Sequence, residues 1–136
     1  MSELPRAGDV ARRDAPTCHL DERLGDVRRK VDAVGWDVCV VVNGERVVLG
    51  LLRAEQLAKS DESRIEDVMR PGPSTFRPHV PINEMAEHMR EHNLERVPIT
   101  TSDGRLVGVL WREDAERAVH EMHKHHDHGD GDGDAE

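Results

Sequence analysis

Aromatic side chains are nearly missing from this sequence: it has no tyrosine, Phe76 is its one phenylalanine, and Trp36 and Trp111 are its two tryptophans. Any buried core must therefore be aliphatic. Stacking platforms for bases are scarce as well, and no basic stripe offsets a formal charge of -9, so the footprint expected of a nucleic-acid binder is missing. Much of that negative charge is local. Asp127, Asp130, Asp132, Asp134 and Glu136 all follow the last basic residue, Lys124, which leaves the body of the chain only mildly acidic. Cysteine is almost absent too. Cys18 and Cys39 stand alone without Cys-x-x-Cys spacing, and the sequence opens on polar residues instead of a hydrophobic leader, which predicts a cytoplasmic protein. Cys39 reads as a small buried side chain. Long apolar runs are missing as well: Val38 to Val42 is the longest, far short of a bilayer span.

What is present is a repeat. Gly8-Asp9-Val10-Ala11 and Thr17 answer to Glu66-Asp67-Val68-Met69 and Thr75, and Gly50-Leu51-Leu52 answers to Gly108-Val109-Leu110, each pair 58 positions apart. Between these anchors the alignment is read with gaps. The segment after Thr75 is taken as four residues longer than that after Thr17, and the turn at Gly44 as longer than that at Gly104.

Each unit switches periodicity in the same order: helix, strand, strand, helix. Leu20, Leu24, Val27 and Val31 mark an amphipathic helix opened by Asp21-Glu22, acids suited to its positive end. Val38 to Val42 reads as a strand covered on both faces, Asn43-Gly44 as a turn, and Val47 to Leu52 as the partner strand. A short helix over Arg53 to Ala58 follows. In the second unit Ile82, Met85, Ala86 and Met89 share a helical face behind Asn83-Glu84, Val97-Pro98-Ile99 begins a strand, and Asp103-Gly104 turns it back through Arg105 to Leu110. Pro98 lacks an amide hydrogen, so it belongs at a strand start or an open edge. Ala115, Ala118, Val119 and Met122 line the apolar side of a last helix from Arg112.

These boundaries give an extension over 1–7, a first repeat over 8–60, a connector over 61–73 rich in proline, a second repeat over 74–119, and a tail over 120–136. The His, Asp and Gly content of that tail predicts disorder.

Two stretches carry the chain beyond a generic αβ pattern: Asp67-Val68-Met69-Arg70-Pro71-Gly72-Pro73 leading to Thr75, and Arg96-Val97-Pro98-Ile99 followed by Asp103 through Leu110 and then Asp114. With the repeat, they resemble the paired cystathionine-β-synthase (CBS) domains of stand-alone CBS domain-containing proteins, the Bateman module, over residues 8 to 119. The resemblance implies an α/β (α+β) fold of duplicated β-α-β-β-α units about a pseudo-twofold axis, packed sheet to sheet as a homodimer-forming regulatory module. It also implies clefts between the repeats that hold adenosine-containing ligands, AMP, ADP or ATP among them, without cofactor or catalytic residue, and an enzyme or transporter as the regulated partner.

The family's ligand pattern is a Gly, two apolar residues, a Ser or Thr, two variable residues and an Asp. In the second repeat it reads Gly108-Val109-Leu110-Trp111-Arg112-Glu113-Asp114, which keeps the ribose-binding Asp114 and puts Trp111 at the hydroxyl position. In the first repeat Arg53 and Gln56 replace both polar positions. Gln56 is neutral, so it cannot reproduce charge-assisted bonds worth about 1.5–3 kcal/mol each. By the same resemblance the backbone at Val97 and Ile99 meets the adenine edge, and Thr75 and Phe76 line the cleft; at the junction Trp111 is read either as covering an adenine ring or as filling the cleft, and Arg112 as a ligand contact or a solvated helix start. For Val97, Ile99 and Phe76 the alternative is ordinary core packing, and for Asp114 it is an acid favoured at the positive end of a helix. Two further readings belong to other classes: an interaction or scaffold module whose clefts are plugged by Trp111, and metal binding by His120, His123, His125, His126 and His128. His88-Met89-Arg90-Glu91-His92 matches an inverted zincin motif but has no third ligand in view, so no metal or catalytic role is assigned to it.

Overall fold

The computed structural model describes residues 4–130, with side chains through Met122. Its elements follow in the order α1 (Ala7–Val10), β1 (Thr17–Cys18), α2 (Leu24–Ala33), β2 (Cys39–Val42), β3 (Val48–Leu52), α3 (Ala54–Leu57), α4 (Ile65–Val68), β4 (Arg70–Pro71), α5 (Ile82–Glu91), β5 (Arg96–Thr100), β6 (Leu106–Trp111) and α6 (Arg112–Asp130). The 58-residue offset holds throughout. Helices α1 and α4 match in length, as do α2 and α5, and every element of the second unit begins within a residue of its expected place.

The gaps expected from the sequence are therefore absent, for two local reasons. Asp21 and Glu22 lie in a turn before α2, where a Glu22 carboxylate oxygen accepts the His19 amide at 2.8 Å; the helical counterparts of Asn83-Glu84 are Gly25-Asp26. In the hairpins, Gly44 is not the partner of Gly104. The left-handed residue is Gly104 (φ 90°) in the second turn and Arg46 (φ 67°) in the first.

Order in the main sheet is β1-β2-β3-β4, with β1 parallel to β2 and the other neighbours antiparallel. The second sheet is the antiparallel pair β5-β6, extended by an Arg12 to Val109 bridge on one side and a parallel Phe76 to Ile99 bridge on the other. Pro98 sits mid-strand on that open side. The Val40 amide donates to Pro16 at 3.0 Å, whereas its counterpart Pro98 has nothing to donate, which explains why residues 75–76 make one bridge where Thr17–Cys18 make a strand.

Two aliphatic cores result, and the opening segments are exchanged between them. Ile65 of α4 packs with Leu24, Val27, Val31, Val40 and Leu52, while Ala7 and Ala11 pack with Ile82, Met85, Met89, Ile99 and Leu110. Leu106 and Val109 of β6 also join the first core. A reciprocal pair of hydrogen bonds ties the hairpins near the pseudo-twofold axis: Val48 N–H to Gly104 O and Leu106 N–H to Arg46 O, each 2.9 Å. Close approach makes Gly108 obligatory, since a Cβ there would fall 2.6 Å from the Arg12 carbonyl oxygen.

Helix α6 runs to Asp130, so the backbone over 120–130 is helical where composition predicts disorder. Val119 and Met122 still pack against the second core, and no glycine or proline interrupts the chain before Gly129. Residues 131–136 of the predicted tail lie outside the described residues. Among the described residues no helix is long and apolar enough to cross a membrane.

Candidate functional site

Strand β6 ends at Trp111 and α6 begins at Arg112, so the first turn of the helix sets Asp114 just beyond the sheet. Its side chain is only 10% exposed and fully engaged. Arg12 Nε donates to Oδ2 at 2.7 Å, Arg12 Nη2 to Oδ1 at 3.1 Å, and Arg117 Nη1 to Oδ1 at 3.0 Å. This bonding, Arg12 foremost, holds the Asp114 carboxyl below the usual carboxylate range despite its burial, and raises the Arg12 guanidinium in turn.

Trp111 is clasped by cations. The Arg12 guanidinium carbon lies 3.5 Å from its ring centroid and that of Arg96 3.8 Å, and two groups so near one centroid occupy opposite faces. Trp36 meets the same ring edge-on, with centroids 5.0 Å apart. Arg96 is fixed by Asp37, which takes Nε and Nη2 at 3.2 Å each. The Trp111 indole nitrogen is buried without a hydrogen-bond partner, as is the Thr100 hydroxyl.

The other residues named from the sequence fall into separate places. Val97 and Ile99 are buried in the second core, and because Pro98 and Thr100 bond toward Phe76, alternation along β5 turns the Val97 and Ile99 amides toward β6. Phe76 packs partly into that core and meets His88 edge-on at 5.1 Å. Thr75 accepts a bond from Arg77 at 2.7 Å. Arg112 is turned to Glu95, bonding its carbonyl through the backbone at 2.9 Å and its carboxylate through Nη2 at 3.1 Å. The structure thus joins Asp114 and Trp111, and it adds Arg12, Trp36, Arg96 and Arg117, which sequence reasoning missed. Arg12 is 102 positions from Asp114, and only the exchange of opening segments brings it there.

At the matching place in the first repeat, Gln56 is buried and its side-chain oxygen accepts the Arg53 amide at 2.8 Å. That closes the helix start on itself. Among the described residues no three His, Cys, Asp or Glu side chains gather to hold a metal ion. His88 and His92 stack on each other at 4.1 Å. The side chains of His123, His125, His126 and His128 lie outside the described residues. Cys18 and Cys39 are both buried and free, and the neighbouring Cys18 thiol, with burial, pushes the Cys39 thiol up.

Two pseudo-symmetric αβ units with exchanged opening segments, and a carboxylate at the strand-to-helix junction of one of them, define a paired-repeat α/β module. Residues 65–121 match the family model of the CBS domain, and the chain as a whole has the fold of solved CBS domain pairs. Solved structures with this fold include the CBS domain pair of protein MJ0100 in complex with 5-methylthioadenosine and S-adenosyl-L-methionine (TM-score 0.76, 19% identity, covering 88% of this chain and 99% of that one). Another is CBSX2 in complex with AMP (TM-score 0.77, 19% identity, covering 88% and 98%). In sequence, the chain is 26% identical over 115 residues to the uncharacterized protein MK0525 of Methanopyrus kandleri, covering 79% of this chain and 59% of that protein. It is 24% identical over 112 residues to an inosine-5'-monophosphate dehydrogenase of Korarchaeum cryptofilum, covering 82% and 24%. The chain thus spans only part of these relatives.

Proposed function

We propose that this chain is a regulatory module, without catalytic chemistry of its own, that takes an adenine nucleotide or related adenosyl ligand at the cleft beside Asp114. The observation that carries this reading is the Asp114 carboxylate itself, held ionised at the β6 to α6 junction beside a tryptophan face and three guanidiniums. A carboxylate can accept both hydroxyls of a ribose, an aromatic face can cover a base, and guanidiniums suit phosphate. The AMP, S-adenosyl-L-methionine and methylthioadenosine in the two solved complexes support the ligand class. Val97, Ile99, Thr75 and Phe76 serve this cleft mainly by fixing β5 and its edge. The module acts as a cytoplasmic homodimer, passing a change in repeat packing to an enzyme or transporter.

Thermal melting with AMP, ADP, ATP, NAD and S-adenosylmethionine at millimolar concentration tests this, because a ligand that binds only the folded state must raise the midpoint. At least one of them raises it, and Asp114→Ala abolishes the response. No shift with any of them, or a full shift in Asp114→Ala, refutes the reading.

A second reading has its own observation. Arg12 covers Asp114 and stacks with Arg96 and Trp36 around Trp111, as expected of an interaction module whose cleft is closed. It predicts no ligand response in any variant and a stable protein partner in pull-down.

A further inference from the structure

Resting on the ligand site just proposed, we infer that Arg12 is a gate that selects phosphorylated adenosyl ligands over neutral or cationic ones. The Arg12 backbone is fixed as an edge strand, its N–H and C=O both exchanging 2.9 Å bonds with Val109. Only the side chain is free to move. That side chain is 36% exposed and lies across a carboxylate that is 10% exposed, so it is the outer member of the pair and the one that can swing into solvent. In the closed arrangement its two nitrogens occupy both Asp114 oxygens, and its face covers Trp111. A ribose diol reaching for Asp114 and a base reaching for Trp111 therefore compete with the same guanidinium.

The competition is unequal for different ligands. A neutral nucleoside breaks a bidentate charge-assisted pair and offers only hydroxyls in return, leaving Arg12 without an anion. A nucleotide brings its own anion: the phosphate takes over the Arg12 fork while the diol takes over Asp114, so one pair is exchanged for two. Arg117 stays on Asp114 Oδ1 through the exchange, and Arg96 remains on the far face of Trp111, held by Asp37. S-adenosylmethionine is net positive, its carboxylate offset by its own ammonium, so it brings no unpaired anion to Arg12 and does not replace the pair it breaks. The unpartnered Trp111 Nε1 is consistent with a cluster that forgoes a hydrogen bond while closed.

Isothermal titration of the full chain with AMP, adenosine and S-adenosylmethionine tests this, beside Arg12→Gln and Asp114→Ala. The wild type is expected to bind AMP at least about tenfold more tightly than adenosine or S-adenosylmethionine. In Arg12→Gln adenosine binds more tightly than it does to the wild type, because Asp114 is uncovered, and the preference for AMP falls to about twofold or less. Equal binding of adenosine and AMP by the wild type overturns the gate even if Arg12→Gln does not fold. If Asp114→Ala abolishes that equal binding, the site itself survives. An undiminished preference for AMP in Arg12→Gln also overturns the gate. Failure of all three ligands to bind any form overturns the gate, and failure of ADP, ATP and NAD as well refutes the ligand site.

Discussion

Gln56 and Asp114 hold the same place in the two repeats, 58 positions apart, at the start of the helix that follows the hairpin. One is spent on its own backbone, accepting the Arg53 amide. The other reaches across the molecule to Arg12. The residue matching Arg12 is Arg70, whose ion-pair partner among the described residues is the exposed Glu55 at 4.0 Å. Amide against carboxylate at this position, with Arg53 against Trp111 and Val38 against Arg96, separates a self-capped turn from a charged cluster, although the frames around them agree element by element. On the proposed reading, ligand binding rests on a few side chains at one junction, of which Trp36 and Trp111 also pack into the first core.

If the cores are alike, they should break alike. Leu52 and Leu110 are equivalent and fully buried, one in each core, and replacing either by alanine is expected to cost about 2–5 kcal/mol. Because Leu106 and Val109 lie in the first core and the hairpins exchange hydrogen bonds, urea denaturation of both variants should still show one transition. Two separated transitions in Leu110→Ala would mean that the repeats fold independently.

At the junction the repeats should differ. Asp114→Asn is expected to cost about 1–2 kcal/mol at neutral pH, toward the low end because Arg12 is over a third exposed. The folded carboxyl pKa lies below the unfolded value, so this contribution is complete above about pH 3.9 and fades as pH falls through the folded value. Gln56→Ala should cost about 1 kcal/mol with no such dependence. Melting both variants against wild type from neutral to acidic pH measures the contrast, and parallel curves would dissolve it.

Much of this frame was legible in the sequence. Apolar residues at three- and four-residue spacing marked α2 and α5, a β-branched run marked β2, Val97-Pro98-Ile99 marked the start of β5, and Gly108 with Asp114 marked the junction. Arg12 was not legible, because its partner is fixed by the exchange of opening segments, which leaves no periodicity. The uniform offset was also hidden: glycine is the usual residue at positive φ, and the first hairpin puts Arg46 there instead. That substitution gives the smallest expected effect. Arg46→Gly should relieve a left-handed side-chain conformation and stabilise the fold by about 0.5 kcal/mol, seen as a slightly raised melting midpoint.

The comparison between the two junctions comes down to a count. Calorimetric titration of the full chain with AMP should give one ligand per chain, abolished by Asp114→Ala and untouched by Gln56→Ala. Two ligands per chain, none, or binding that survives loss of the Asp114 carboxylate would contradict the assignment of the site to the second repeat.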